Sequence, residues 1–104
     1  MEIQFKQWNC TLEFGKYAND RVAIELIDID NGEPVAVATV NIPEAKISND
    51  MIIIKNYSEN AGMYEAFLNN GLIERSIESV RTGFVVCPVC IMTDKLKSLI
   101  NTKE

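Results

Sequence analysis

Apolar and polar side chains alternate through the N-terminal part of the chain. Every second position is apolar in much of residues 3–8 and 10–14, and again in residues 21–29 and 35–40. A period of two is typical of strands that bury one face and expose the other. Asn31-Gly32 separates the last two segments, and this dipeptide is a strong signal for a tight hairpin. The pattern therefore predicts strands over these segments, and the short break around Asn9 indicates either a tight hairpin or a bulge in one continuous strand.

The middle of the chain combines a strand with a helix. Residues 51–55 are apolar on both faces, which predicts a central strand. An amphipathic helix follows, with Met63 and Phe67 on its apolar face. Ser58 is the predicted N-cap of this helix, and Gly71 is expected to take the left-handed conformation at its C-terminal end.

The C-terminal part predicts two more strands and a second helix. Residues 77–81 form a weak strand, and residues 84–92 form a stronger one. A short helix over residues 95–101 follows, and Thr93 or Asp94 would cap it.

Together these elements predict one α+β domain over residues 1–104. It consists of a mainly antiparallel sheet of about five to seven strands, one main helix packed on one face, and a short C-terminal helix. Residues 95–104 are expected to be a frayed C-terminal extension. With 104 residues, 47% of them hydrophobic, the chain has enough apolar surface to fold alone.

The charge of the chain bears on its partners. Lys and Arg number 10 against 15 Asp and Glu, so the net charge is -5. Nucleic acids and anionic membranes attract basic surfaces, so neither is expected as a partner. Binding of single strands by the aromatic residues remains a weaker hypothesis. No apolar run approaches the roughly 20 residues that span a bilayer, and no secretory signal is recognised, so we expect a cytoplasmic protein.

Histidine is absent from the sequence. This removes the commonest general base near neutral pH, every Cys-His or Ser-His arrangement, and every histidine metal ligand. Carboxylates, lysine, tyrosine or cysteine would have to carry any reaction, and they form no recognisable catalytic constellation. We therefore expect a protein that is not an enzyme and needs no cofactor.

Cys87-Pro88-Val89-Cys90 is the one motif that suggests chemistry. In an extended strand, residues three apart point to opposite faces and lie roughly 10 Å apart. A disulfide tolerates a Cα separation of only about 4.4 to 6.8 Å, so this pair would need a local turn. We favour small buried thiols. The alternative is a zinc-binding or thiol-redox protein that uses Cys87, Cys90 and Cys10.

Polar and aromatic residues beside the strand at 51–55 form the predicted recognition surface. A loop next to a rigid strand suits recognition, and an unknown protein partner is expected there. The residues are Tyr17, Lys55, Asn56, Tyr57, Glu59 and Asn60. The alternative is that Tyr57 and Ser58 only pack against the helix and cap it. The chain itself is expected to be a monomer or a weak homodimer.

Three segments resemble a known family. They are residues 12–19 (Leu-Glu-Phe-Gly-Lys-Tyr-Ala-Asn), residues 54–63, and Gly83-Phe84-Val85 followed by Pro88-Val89-Cys90. They are similar to the small bacterial proteins of domain-of-unknown-function family four-three-one-three, which occurs in gut bacteria, their phages and their conjugative elements. The resemblance extends to about Met92 and implies a cytoplasmic accessory protein of a mobile element. It transfers no catalytic residue, and it implies that Cys90 fits the family pattern better than Cys87.

Overall fold

The computed structural model describes residues 1–103 and contains seven strands and two helices within them. The α+β class and the antiparallel pairing are confirmed, but the strands form two sheets where one was predicted. The first sheet has the order β1-β2-β3-β4 and the second has the order β5-β7-β6. The elements are β1 (Glu2–Phe5), β2 (Trp8–Lys16), β3 (Val22–Asp28), β4 (Pro34–Val37), β5 (Met51–Ile53), α1 (Met63–Asn69), β6 (Glu78–Thr82), β7 (Val85–Ile91) and α2 (Asp94–Lys103).

The first sheet is a meander of hairpins. Phe5 pairs with Trp8, so the first turn is formed by Lys6 and Gln7 and not by the residues around Asn9. Lys6 has a φ of 55°, a left-handed conformation. The predicted Asn31-Gly32 hairpin between β3 and β4 is confirmed.

A short join links the two sheets. Thr39 and Ile54 form an isolated antiparallel bridge. Beside it, the Lys55 N–H donates to the Ala38 carbonyl at 2.8 Å, and the Val40 N–H donates to the Ile53 carbonyl at 3.1 Å. Strand β5 is outermost in its own sheet. The central position predicted for residues 51–55 is therefore wrong, although the join to the first sheet covers the C-terminal end of β5.

Two hydrophobic cores lie on opposite faces of the second sheet. Side chains alternate along β7, so Cys87 and Val89 enter the smaller core, whereas Cys90 enters the larger one. The larger core also contains the buried faces of the first sheet and of both helices. Its members include Ile3, Phe5, Cys10, Leu12, Ile24, Leu26, Met63, Phe67 and Leu96.

The predicted start of the main helix is wrong. Ser58 has a φ of 55° and opens the short 3₁₀ turn Ser58–Asn60, with no side-chain cap at its start. Gly62 has a φ of 97°, a conformation that glycine adopts at little cost, and it turns the chain before α1. Helix α1 therefore begins at Met63 and is only seven residues long.

The predicted end of the helix is confirmed. Gly71 has a φ of 70° and donates its N–H to the Leu68 carbonyl at 3.1 Å. The Leu72 N–H reaches back to the Phe67 carbonyl at 3.0 Å. These two bonds form a Schellman motif, which satisfies carbonyls that the helix itself leaves free.

Helix α2 is longer than predicted. Thr93 Oγ1 accepts a hydrogen bond from the Leu96 N–H at 3.3 Å, which confirms Thr93 as a capping residue. Leu96 is fully buried in the larger core, so α2 contributes to the packing of the domain.

Candidate functional site

The recognition surface predicted from sequence begins where β5 ends. Asn56 Oδ1 accepts a hydrogen bond from the Tyr64 N–H at 2.8 Å, so Asn56 satisfies an otherwise free donor in the first turn of α1. Asn60 is 1% exposed and donates through Nδ2 to the Val37 carbonyl at 2.7 Å. Both amides therefore hold the fold together.

The remaining side chains of this segment pack against one another. Tyr57 packs on the smaller core. Lys55 Nζ lies 5.6 Å from the centroid of the Tyr57 ring and 3.4 Å from Glu59 Oε1. A hydrogen bond from its own backbone N–H, together with Lys55, lowers the pKa of Glu59. Lys55 and Glu59 therefore form a screened surface pair that adds little stability.

Tyr17 lies in the turn after β2, and its hydroxyl is also engaged. It lies 2.9 Å from Oγ1 of Thr39, which is 3% exposed. The same Oγ1 accepts a hydrogen bond from the Ile24 N–H at 3.2 Å. Because Thr39 bridges Ile54, the structure brings Tyr17 close to the start of the predicted surface, at the join between the sheets.

The three cysteines are free and buried. Cys87 and Cys90 face different cores, as the strand geometry predicts. Within residues 1–103, no group of three or more Cys, Asp or Glu side chains is placed to hold a metal ion. Burial raises the pKa of Cys87, burial and then Asp28 raise that of Cys10, and burial raises that of Cys90 to about 11. The reactive form of cysteine is the thiolate, so this arrangement does not favour the zinc or redox alternative.

The hairpin of β6 and β7 carries a surface that sequence reasoning missed. Ile77 is 91% exposed, Phe84 is fully exposed and Val86 is 51% exposed. Together with Pro88, Ile77 and Val86 line a shallow groove of about 340 Å³. We call Ile77, Phe84 and Val86 the hairpin surface. Ile77 and Val86 line the same groove, whereas Phe84 lies at the other end of β6 from Ile77. Grouped exposed apolar side chains mark interaction sites more often than single ones do.

Strand β6 also leaves one edge open. It pairs with β7 on one side and, within the described part of the chain, with no strand on the other. An unpaired strand edge presents backbone donors and acceptors that a further strand can bind. The sequence did contain a signal for this surface. The run Phe84-Val85-Val86 is apolar on both faces of the strand, but only one of these faces packs against a core.

A larger cleft lies elsewhere, between the start of β3, the loop before β5 and α2. It has a volume of about 740 Å³ and a mixed lining that includes Lys16, Arg21 and Lys97. Arg21 uses its guanidinium to hold the loop, because Nη1 donates to the Ile42 carbonyl at 2.8 Å and Nη2 donates to the Ala45 carbonyl. None of the residues predicted as a site lines this cleft.

Comparison with protein-family models, with curated proteins and with solved structures finds no match to this chain. Among residues 1–103, neither helix has the length and apolar character that crossing a bilayer requires.

Proposed function

We propose that this chain is a non-enzymatic protein-interaction domain that contacts a partner through the hairpin surface. The observation that carries the proposal is the exposure of Ile77, Phe84 and Val86 beside the open edge of β6. Burial of such side chains against a partner removes apolar area from water at about 25 cal/mol per Å². A free strand edge adds backbone hydrogen bonds, which is the mode of recognition by strand addition.

The hairpin surface supports binding better than the segment at residues 55–60. In that segment Asn56, Tyr57 and Asn60 already have intramolecular partners, whereas Phe84 packs against nothing within residues 1–103. The resemblance to family four-three-one-three is consistent with a cytoplasmic accessory protein of a bacterial mobile element, and we include that context in the proposal.

Site-specific photocrosslinking in living cells tests the proposal. The photoreactive residue p-benzoylphenylalanine is incorporated in place of Phe84, which has a similar shape and is exposed. The matched control carries it in place of Tyr57, an aromatic residue of the segment at 55–60. We expect protein adducts from position 84 that are absent from position 57. No adduct from position 84, or the same adducts from both positions, would contradict the proposal.

A further inference from the structure

The backbone of β6 determines how another strand can add to it. Thr82 pairs with Val85 across the two-residue turn Gly83-Phe84, and such a flanking pair is hydrogen bonded. Because hydrogen-bonded and non-bonded positions alternate in antiparallel strands, the N–H and C=O groups of Ser79 and Arg81 point away from β7. These groups form the open edge of the second sheet.

The two most exposed apolar side chains flank this edge. Ile77 directly precedes β6 and Phe84 lies in the turn after it. A two-fold axis through the middle of β6 would place the Ile77 end of one copy beside the Phe84 end of the other, so both would be covered at once. The first sheet has two outer strands. Beside β1 the exposed large apolar residue is Met1, at 40%, and in β4 it is Val37, at 43%, so neither edge carries apolar residues as exposed as Ile77 and Phe84. The self-complementary edge is therefore that of β6.

The charges of β6 restrict the register of such a pair. Residues that face each other in antiparallel strands point to the same face of the sheet, and the face alternates from one residue to the next. In a two-fold dimer of β6, a residue therefore faces either itself or a residue an even number of positions away. Registers that set Glu78 opposite Glu78, or Arg81 opposite Arg81, oppose like charges and are disfavoured. Two registers around the middle of the strand remain. One sets Ser79 opposite itself, and the other sets Val80 opposite itself.

The register centred on Val80 gives the better contacts. It sets Ser79 of one copy opposite Arg81 of the other, and Ile77 opposite Gly83, which is the neighbour of Phe84. Residues 74–84 carry two glutamates and two arginines, so the interface is locally neutral although the chain has a net charge of -5. Two copies can therefore approach here with little electrostatic repulsion.

We infer that the hairpin surface binds a second copy of this chain, with the two β6 edges paired antiparallel around Val80 to give a six-stranded sheet. The inference rests on the proposed function, because it names the partner of the same surface. In this dimer the turn Gly83-Phe84 of each copy lies beside Ile77 of the other copy and covers it.

A charge pair at Ser79 tests both the interface and its register. Ser79 is exposed, so neither Ser79→Glu nor Ser79→Arg removes a buried contact. In the register centred on Val80, position 79 of each copy faces Arg81 of the other, so the contact occurs twice per dimer. Ser79→Glu therefore places opposite charges together at both contacts, whereas Ser79→Arg places two positive charges together at both. Sedimentation velocity over a range of concentrations measures the dissociation constant of each dimer. We expect Ser79→Glu to lower it and Ser79→Arg to raise it, each by about 2- to 25-fold at low salt.

The outcomes of these experiments distinguish the inferred register, another register, the absence of a dimer and a different protein partner. A tighter dimer for Ser79→Glu together with a weaker dimer for Ser79→Arg supports the inference, and the reverse pattern would overturn the register. Weakening by both would indicate the register in which Ser79 meets itself and would overturn the one inferred here. A wild-type chain that stays monomeric at all concentrations, or a dimer that neither variant changes, would overturn the interface. A crosslink from position 84 to a different protein alone would keep the proposed function and overturn self-pairing, whereas no crosslink would contradict both.

Discussion

The Tyr17 hydroxyl lies 2.9 Å from Oγ1 of Thr39, a buried oxygen that also accepts a hydrogen bond from the Ile24 N–H. Thr39→Val removes this oxygen and leaves the Ile24 N–H without its partner, so we expect a loss of about 1–3 kcal/mol in the free energy of unfolding. Urea denaturation measures it. Thr39→Ser keeps the hydroxyl and Tyr17→Phe removes only the half-buried partner, so both should cost less. Equal losses for Val and Ser would show that packing, and not the hydrogen bond, is responsible.

Asn56 caps α1 from eight residues upstream. Asn56→Ala removes the acceptor of the Tyr64 N–H, and we expect it to cost about 0.5–2 kcal/mol of stability. Ser58→Ala is the control, because Ser58 makes no side-chain cap for the 3₁₀ turn that it opens. Thermal unfolding followed by circular dichroism compares the two variants. If Ser58→Ala were the more damaging, the cap predicted from sequence would be the real one.

Two glutamates oppose each other on the outer face of the first sheet. Glu13 pairs directly with Glu25 across β2 and β3. Replacement of one by lysine turns repulsion into attraction, so Glu13→Lys should stabilise the fold by about 0.2–1 kcal/mol at low ionic strength. The gain should shrink in about 1 M salt, where the screening length falls to about 3 Å. Glu44→Lys makes the same charge change at an exposed loop position, and an equal gain there would point to net charge alone as the cause.

Burial of Cys90 links stability to alkaline pH. Its pKa is raised from 9.0 to about 11, so above pH 9.0 the unfolded chain releases a proton that the folded chain keeps. The stabilising contribution is therefore complete below pH 9.0 and is lost as the pH rises towards about 11. Chemical denaturation at several pH values should show a steeper loss of stability for wild type than for Cys90→Ala. Parallel profiles would show that Cys90 is not protected from ionisation in the fold.

Short sequence patterns correctly predicted those elements of the fold whose conformation depends on residues close together in the chain. The alternation in residues 10–14 and 21–29 identified β2 and β3, Asn31-Gly32 identified the turn after β3, and Gly71 identified the end of α1. Each of these features follows from the conformations that a few consecutive residues prefer.

Features that depend on distant contacts were not predicted. Ser58 has the composition of a helix cap, but Gly62 turns the chain before the helix starts and Asn56 supplies the acceptor instead. The strands divide into two sheets that the bridge between Thr39 and Ile54 joins, and no local pattern encodes such pairings between distant residues. The exposure of Phe84 was not predicted either, because the apolar run at residues 84–86 does not show which of its side chains the rest of the chain leaves uncovered.

Strand β5 ties the two cores to each other. Ile52 and Ile54 pack into the larger core, and Ile53, on the opposite face, packs into the smaller one. Neither core can lose this strand without exposing apolar side chains of the other. Two cores that share this strand should therefore unfold together, in a single cooperative transition.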